Sequence, residues 1–261
     1  MRRLRALPSI AILAAGYGFI FLPVVVLVLF SFQDGRLPVP PFKGFSLDWY
    51  EHVFANRRLM DGLGHSLAVA LGSSAAATVL GFLAAWGLAR ARPRWAGAAQ
   101  YVLMAPMTVS YLIIGMGLLI TFNALGIPKS LVAVGAGHLV INLPLAFAIC
   151  YAQLGEHQAT VEQAARDLGA SEAQALLLIT VPMLWPALIA SFCLAFTLSW
   201  DEFVIAFLLT RFDVTLPVAI WSMLRSGLNP ETNAAGTLVF AVSIVLVLAV
   251  ETLVLRRARR G

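Results

Sequence analysis

Six stretches of the chain, about 10–32, 66–89, 101–122, 131–152, 183–210 and 234–255, are each apolar over more than twenty residues. A helix rises about 1.5 Å per residue, so roughly 20 such residues match a hydrocarbon core about 30 Å thick. Inside that core every backbone N–H and C=O must be paired within the protein, which a helix does by itself. The pattern predicts an all-α integral membrane protein of six transmembrane helices, organised as one domain over 1–261. Composition agrees: 60% hydrophobic and 12% charged residues leave no room for a second domain with the roughly 25% charge of a soluble one.

Arg2, Arg3 and Arg5 precede the first run as in a secretory signal. The run is too long for a cleaved segment and lacks a small-x-small cleavage site, so it is expected to stay as the first span. With the N-terminus inside, the cytoplasmic segments hold 11 of the 18 Lys and Arg residues, clustered at Arg90, Arg92, Arg94, Arg256, Arg257, Arg259 and Arg260. The other side holds 7, among them Arg36, Lys43, Arg57, Arg58, Lys129, Arg211 and Arg225. This bias predicts cytoplasmic N- and C-termini. It also accounts for the net charge of +5, so nucleic acid is not an expected partner.

Several chemistries are excluded. Cys150 and Cys193 are the only cysteines and lie in apolar runs, which rules out a disulfide scaffold and Cys-rich metal motifs. His52, His65, His138 and His157 lack the i, i+4 spacing of zinc ligands. Neither Lys43 nor Lys129 follows a glycine in a phosphate-loop pattern, so ATP is bound elsewhere. No catalytic residue, metal or cofactor is expected.

Span two carries Ser73, Ala77, Gly81, Ala85 and Ala89 four apart on one helix face. Such a stripe marks close helix packing, within the chain or against a partner subunit. Pro106 and Pro144 lie within spans three and four, with Asn142 just before the second, and bend helices that then need neighbours or a cavity. The connection 33–65 should lie outside, with an amphipathic helix around Trp49, Tyr50 and Phe54 at the interface.

The loop 153–182 should lie inside. Ala164, Ala165, Ala170, Ala173 and Ala175 favour helix, Gly169 interrupts it, and Ser171 can cap a restarted helix with Glu172 and Gln174 in its first turn. Low side-chain bulk around a glycine bend suits a docking element. Pro182 is expected to begin span five.

This segment resembles the EAA loop of ATP-binding-cassette importer permeases, whose pattern is E-A-A, three residues, Gly, nine residues, Ile, one residue, Leu-Pro. Ala164, Ala165, Gly169, Ile179 and Pro182 fall at that spacing. Gln163 stands where the family has glutamate, with Glu162 immediately before it, and Val181 replaces leucine. The resemblance implies a coupling helix docked in a groove of a separate ATPase, with Glu162, Gln163, Ala164, Ala165, Asp167, Gly169, Ile179 and Pro182 as the coupling residues.

The runs 196–210 (FTLSWDEFVIAFLLT) and 216–234 (LPVAIWSMLRSGLNPETNA) are similar to spermidine/putrescine importer permeases of the PotC type. From Met183, Asp201 is about 27 Å along a helix, near the outer limit of the hydrocarbon core. Adjacent carboxylates in an apolar run are costly unless they meet water, a cation or a partner charge, and such charges mark substrate paths. Ser199, Trp200, Asp201 and Glu202 are therefore the expected path residues, with Trp200 able to offer a cation–π contact. The alternatives are that span five ends near Ser199 and the acids are simply hydrated, or that they pair with Arg211.

The resemblance implies a non-enzymatic permease subunit in a bacterial inner membrane. Its expected partners are the lipid bilayer, a second homologous permease, two ATPase subunits and a soluble substrate-binding protein. Other cargo of the same class, aminophosphonate or ferric iron, is the alternative. A secondary transporter using Asp201, Glu202 and His138 as ion sites is a further one.

Overall fold

A computed structural model describes residues 2–35, 37–91, 93–227 and 229–258. Arg36, Arg92, Arg259 and Arg260, which enter the charge bias, lie outside the described residues. The fold is all-α, as expected. In chain order its α-helices are α1 Arg2–Ser31, α2 Asp48–Ala55, α3 Arg57–Ala91, α4 Ala96–Met104, α5 Tyr111–Ala124, α6 Leu131–Gln153, α7 Glu156–Asp167, α8 Glu172–Ala175, α9 Val181–Trp200, α10 Val204–Leu209, α11 Leu216–Ser226 and α12 Pro230–Ala258.

Among the described residues, four helical stretches are long and apolar enough to cross a bilayer: Ile12–Ser31, Arg57–Ala91, Leu131–Gln153 and Glu172–Trp200. The expected third span is not one straight helix. Ala96–Thr108 and Tyr111–Ala124 meet at 106° and make a fifth crossing only if the bent pair counts as one. Pro106 lacks the N–H to continue α4 as an α-helix, and the chain tightens into a 3₁₀ turn, Ala105–Thr108. Ser110 then accepts the Leu112 N–H and restarts α5. Pro144, by contrast, is accommodated inside an unbroken α6. The sixth expected run lies within α12.

The chain divides into two compact units. In the first, residues up to Met60 and Ala219–Ser243, the Ser31 hydroxyl meets the Tyr50 hydroxyl at 2.7 Å, and the Trp49 indole donates to the Gln33 carbonyl at 3.0 Å. The Asn56 amide donates to Glu231 at 2.9 Å. These bonds tie the amphipathic helix α2 and the start of α3 to the ends of α1 and α12. Phe54 of α2 is exposed while Val53 is buried.

The second unit, Asp61–Val218 with the chain from Ile244 on, holds the helices that carry the candidate sites. The small-residue stripe of α3 serves internal packing here. A side chain at Gly81 would come within 2.7 Å of the Phe147 backbone nitrogen and 2.8 Å of the Ala146 methyl, so α3 and α6 touch almost backbone to backbone. Glycine hollows on α5 and α6 seat the short helix α10, with Leu208 over Gly115 and Ile205 and Leu209 over Gly137.

Candidate coupling loop and substrate path

Helix α7 ends as the sequence predicts, at Gly169. With φ at +93°, Gly169 turns the chain so that its N–H reaches the Arg166 carbonyl and the Ala170 N–H reaches that of Ala165, at 2.9 and 3.0 Å. This is a left-handed glycine cap that satisfies the last carbonyls. Ser171 and Gln174 then cap α8 reciprocally, Gln174 N–H to Ser171 Oγ at 3.2 Å and Ser171 N–H to Gln174 Oε1 at 2.8 Å. Gln163, Ala164, Asp167 and Gly169 are exposed, Ala165 and Ile179 half-buried. The Gln163 amide donates to Asp167 at 2.9 Å, one turn on.

Pro182 stands in the first turn of α9, and the helical path continues ahead of it, back to Glu172. A wide turn over Leu176–Thr180 precedes it, with the Val181 N–H bonding back five residues to Leu176. That turn reorganises the carbonyls ahead of Pro182 and lets a proline sit inside the helix.

The glutamate one place before the motif position is the buried one. Glu162 is 2% exposed and meets the Arg90 guanidinium at two points, Nε at 2.6 Å and Nη2 at 2.9 Å. Thr180 donates its hydroxyl to the same carboxylate at 2.8 Å. Burial alone would raise this carboxyl. The Arg90 and Thr180 hydrogen bonds and the charges of Arg90 and Arg166 outweigh it and hold Glu162 below the usual carboxylate range. One carboxylate thus joins the end of α3, helix α7 and the wide turn before α9. The sequence marks Arg90 only as an orientation charge and gives Thr180 no role, since nothing local links residues 72 and 18 positions from Glu162.

At the other end of α9 the helix stops at Trp200, and the two acids separate. Glu202 is 5% exposed and folds back as a cap. Its carboxylate accepts the Ile205 N–H at 3.0 Å and the Ala206 N–H at 3.1 Å, starting α10. His138 Nε2 lies 3.3 Å from Glu202, His138 Nδ1 lies 2.7 Å from Ser199 Oγ, and Ser199 Oγ lies 3.0 Å from Ser73 Oγ. Trp200 is 2% exposed and stacks on Phe196 at 6.3 Å, so its ring is turned into the protein rather than toward a path. Of the four expected path residues only Asp201 is exposed. Arg211 does not pair with either acid; its guanidinium lies 4.9 Å above the Phe212 ring. The sequence marks Ser73 only as a small residue and His138 only as an alternative ion site, because their meeting with Ser199 depends on how three helices pack. Among the described residues no group of three His, Cys, Asp or Glu gathers as metal ligands.

Residues 77–260 match the family of binding-protein-dependent transport system inner membrane components. The putrescine transport system permease protein PotI of Escherichia coli (strain K12) is 35% identical, over 90% of this chain and 87% of its own. The spermidine/putrescine transport system permease protein PotC of the same strain is 32% identical, over 91% and 90%. A chain in the crystal structure of a bacterial alginate ABC transporter, in complex with an alginate pentasaccharide-bound periplasmic protein, overlays with a TM-score of 0.73 at 17% identity. That overlay covers 95% of this chain and 93% of that one, and shows a shared fold. An all-α chain of membrane-length helices, matched to this family over most of its length, belongs to the binding-protein-dependent transport system inner membrane components, the permease subunits of ABC importers.

Proposed function

We propose that this chain forms half of the translocation path of a polyamine importer and carries the stroke of a separate ATPase into that path. The observation that carries the cargo class is Asp201, the one exposed carboxylate at the break of an otherwise apolar run, in a chain related over about nine-tenths of its length to two polyamine permeases. An exposed acid among apolar helices favours a cation, and a flexible polyamine presents ammonium groups to it. Glu202, by contrast, shapes the break from beneath.

The coupling surface is the exposed face of α7, its glycine cap and α8, with Gln163, Ala164, Asp167 and Gly169 toward the ATPase. The glycine cap keeps bulk away from the docking surface. The Arg90–Glu162–Thr180 junction passes the movement of α7 to α3 and α9, which line the route to Asp201. On this reading the whole chain is one permease domain crossing six times, with both termini cytoplasmic as the charge bias favours. A second homologous permease, two ATPase subunits and a soluble binding protein complete the importer.

The test is uptake of labelled spermidine and putrescine into proteoliposomes holding the assembled importer and its binding protein. ATP-dependent uptake that requires the binding protein is expected. ATP-dependent uptake of a different solute, with polyamines ignored, overturns the cargo assignment.

A further inference from the structure

A concavity of about 520 Å³ lies between the end of α5, the start of α6 and the end of α10. Its lining is both basic and apolar. Lys129 and Arg211 are the basic residues, and Phe122, Ile127 and Leu209 are among the apolar ones, with no carboxylate among the lining residues. Neither cation forms an ion pair within the described residues. The lining residues Lys129 and Ala133 flank Ser130, the N-cap of α6, a helix of 23 residues. Ser130 accepts the Ala133 N–H there, and the first-turn N–H groups with the helix dipole add positive potential. Since α6 is about 34 Å long, the concavity lies a membrane thickness away from the α7 loop.

We propose that this concavity binds the headgroup phosphate of an anionic phospholipid in the leaflet opposite the coupling loop. Lys129, Arg211 and the start of α6 hold the phosphate, while the acyl chains run along the apolar residues. On the same helices Ile120 and Val132 are 67% and 82% exposed, and Leu125 at the end of α5 is 68% exposed. A soluble anion would gain nothing from the apolar lining, whereas an amphiphile uses both kinds of residue. Two cations without ion-pair partners repel a polyamine, so the proposal does not depend on the cargo.

The test compares the assembled importer with its Lys129→Gln/Arg211→Gln double variant in nanodiscs of equal palmitoyl-oleoyl phosphatidylglycerol and phosphatidylcholine, with retained lipid read by native mass spectrometry. Phosphatidylglycerol affinity should fall about twenty-fivefold, roughly fivefold for each basic residue lost. The charge-keeping variant Lys129→Arg/Arg211→Lys should retain the lipid, which separates lost charge from lost fold. Equal phosphatidylglycerol retention by wild type and double variant overturns the proposal. So does a matching loss of phosphatidylcholine, which would make the site an apolar contact only. Displacement of the lipid by millimolar inorganic phosphate would identify the occupant as a soluble anion and also overturn it.

Discussion

Arg90 near the C-terminal end of α3 and Glu162 in the middle of α7 form a two-point ion pair at 2.6 and 2.9 Å, 72 residues apart in sequence. The fork of the guanidinium matches the two carboxylate oxygens, a geometry that lysine cannot reproduce. It is the direct polar joint between the expected docking helix and a membrane-length helix, so its loss should be felt in both stability and transport.

Arg90→Ala leaves a buried carboxylate without its charge partner. A cost of about 3–5 kcal/mol is expected, read as a lowered melting temperature of the assembled importer. Arg90→Lys should recover only part of that stability.

The same pair sets a pH dependence. Glu162 is held below its ordinary value of 4.5 in the folded protein, so in acid the unfolded chain takes up a proton before the folded one does. The stabilisation is complete above the ordinary value and is lost as pH falls through the lowered folded value. Melting temperatures taken between neutral pH and about pH 3 should fall more steeply for wild type than for Glu162→Gln. Parallel profiles would assign the acid sensitivity to other groups.

Asp201→Asn and Glu202→Gln should separate function from fold. The first removes an exposed charge and should raise the polyamine concentration for half-maximal uptake about tenfold, with the melting temperature unchanged, as expected for one lost charge contact. The second replaces an acceptor of two backbone N–H bonds and should destabilise the protein by about 1–3 kcal/mol. Equal effects on uptake with no change in stability would mean that both acids act in the path.

Two glycines should respond in opposite ways. At Gly81 the backbone of α6 blocks any side chain, so Gly81→Val should overpack the α3–α6 contact by about 1–3 kcal/mol and lower the yield of membrane-inserted protein. At Gly169 an added Cβ meets nothing within 4 Å, so the backbone cost of Gly169→Trp is the roughly 1–2 kcal/mol of a left-handed non-glycine residue. The variant should insert normally and lose uptake by blocking the ATPase. Gly169→Asn, which tolerates the same backbone angle, should retain most of it; normal uptake by Gly169→Trp would remove docking from this bend.

The sequence alone determined what depends on neighbours along the chain. Apolar runs of bilayer length, the glycine end of α7 and the Ser171 cap are local, because helix pairing and capping involve residues within about five positions of one another. The break at Pro106 and the uninterrupted helix through Pro182 show where that reach ends. Both positions carry a proline, and the difference lies in whether the surrounding turn tightens or widens. The tertiary structure alone decided the partners of the polar residues. Arg90 with Glu162, His138 with Ser199 and Ser73 with Ser199 are 72, 61 and 126 positions apart. Their meeting depends on the register of helices drawn together by small residues and backbone contact. That same register buries Glu202 as a helix cap while leaving its neighbour Asp201 exposed, a distinction that two adjacent acidic letters do not carry.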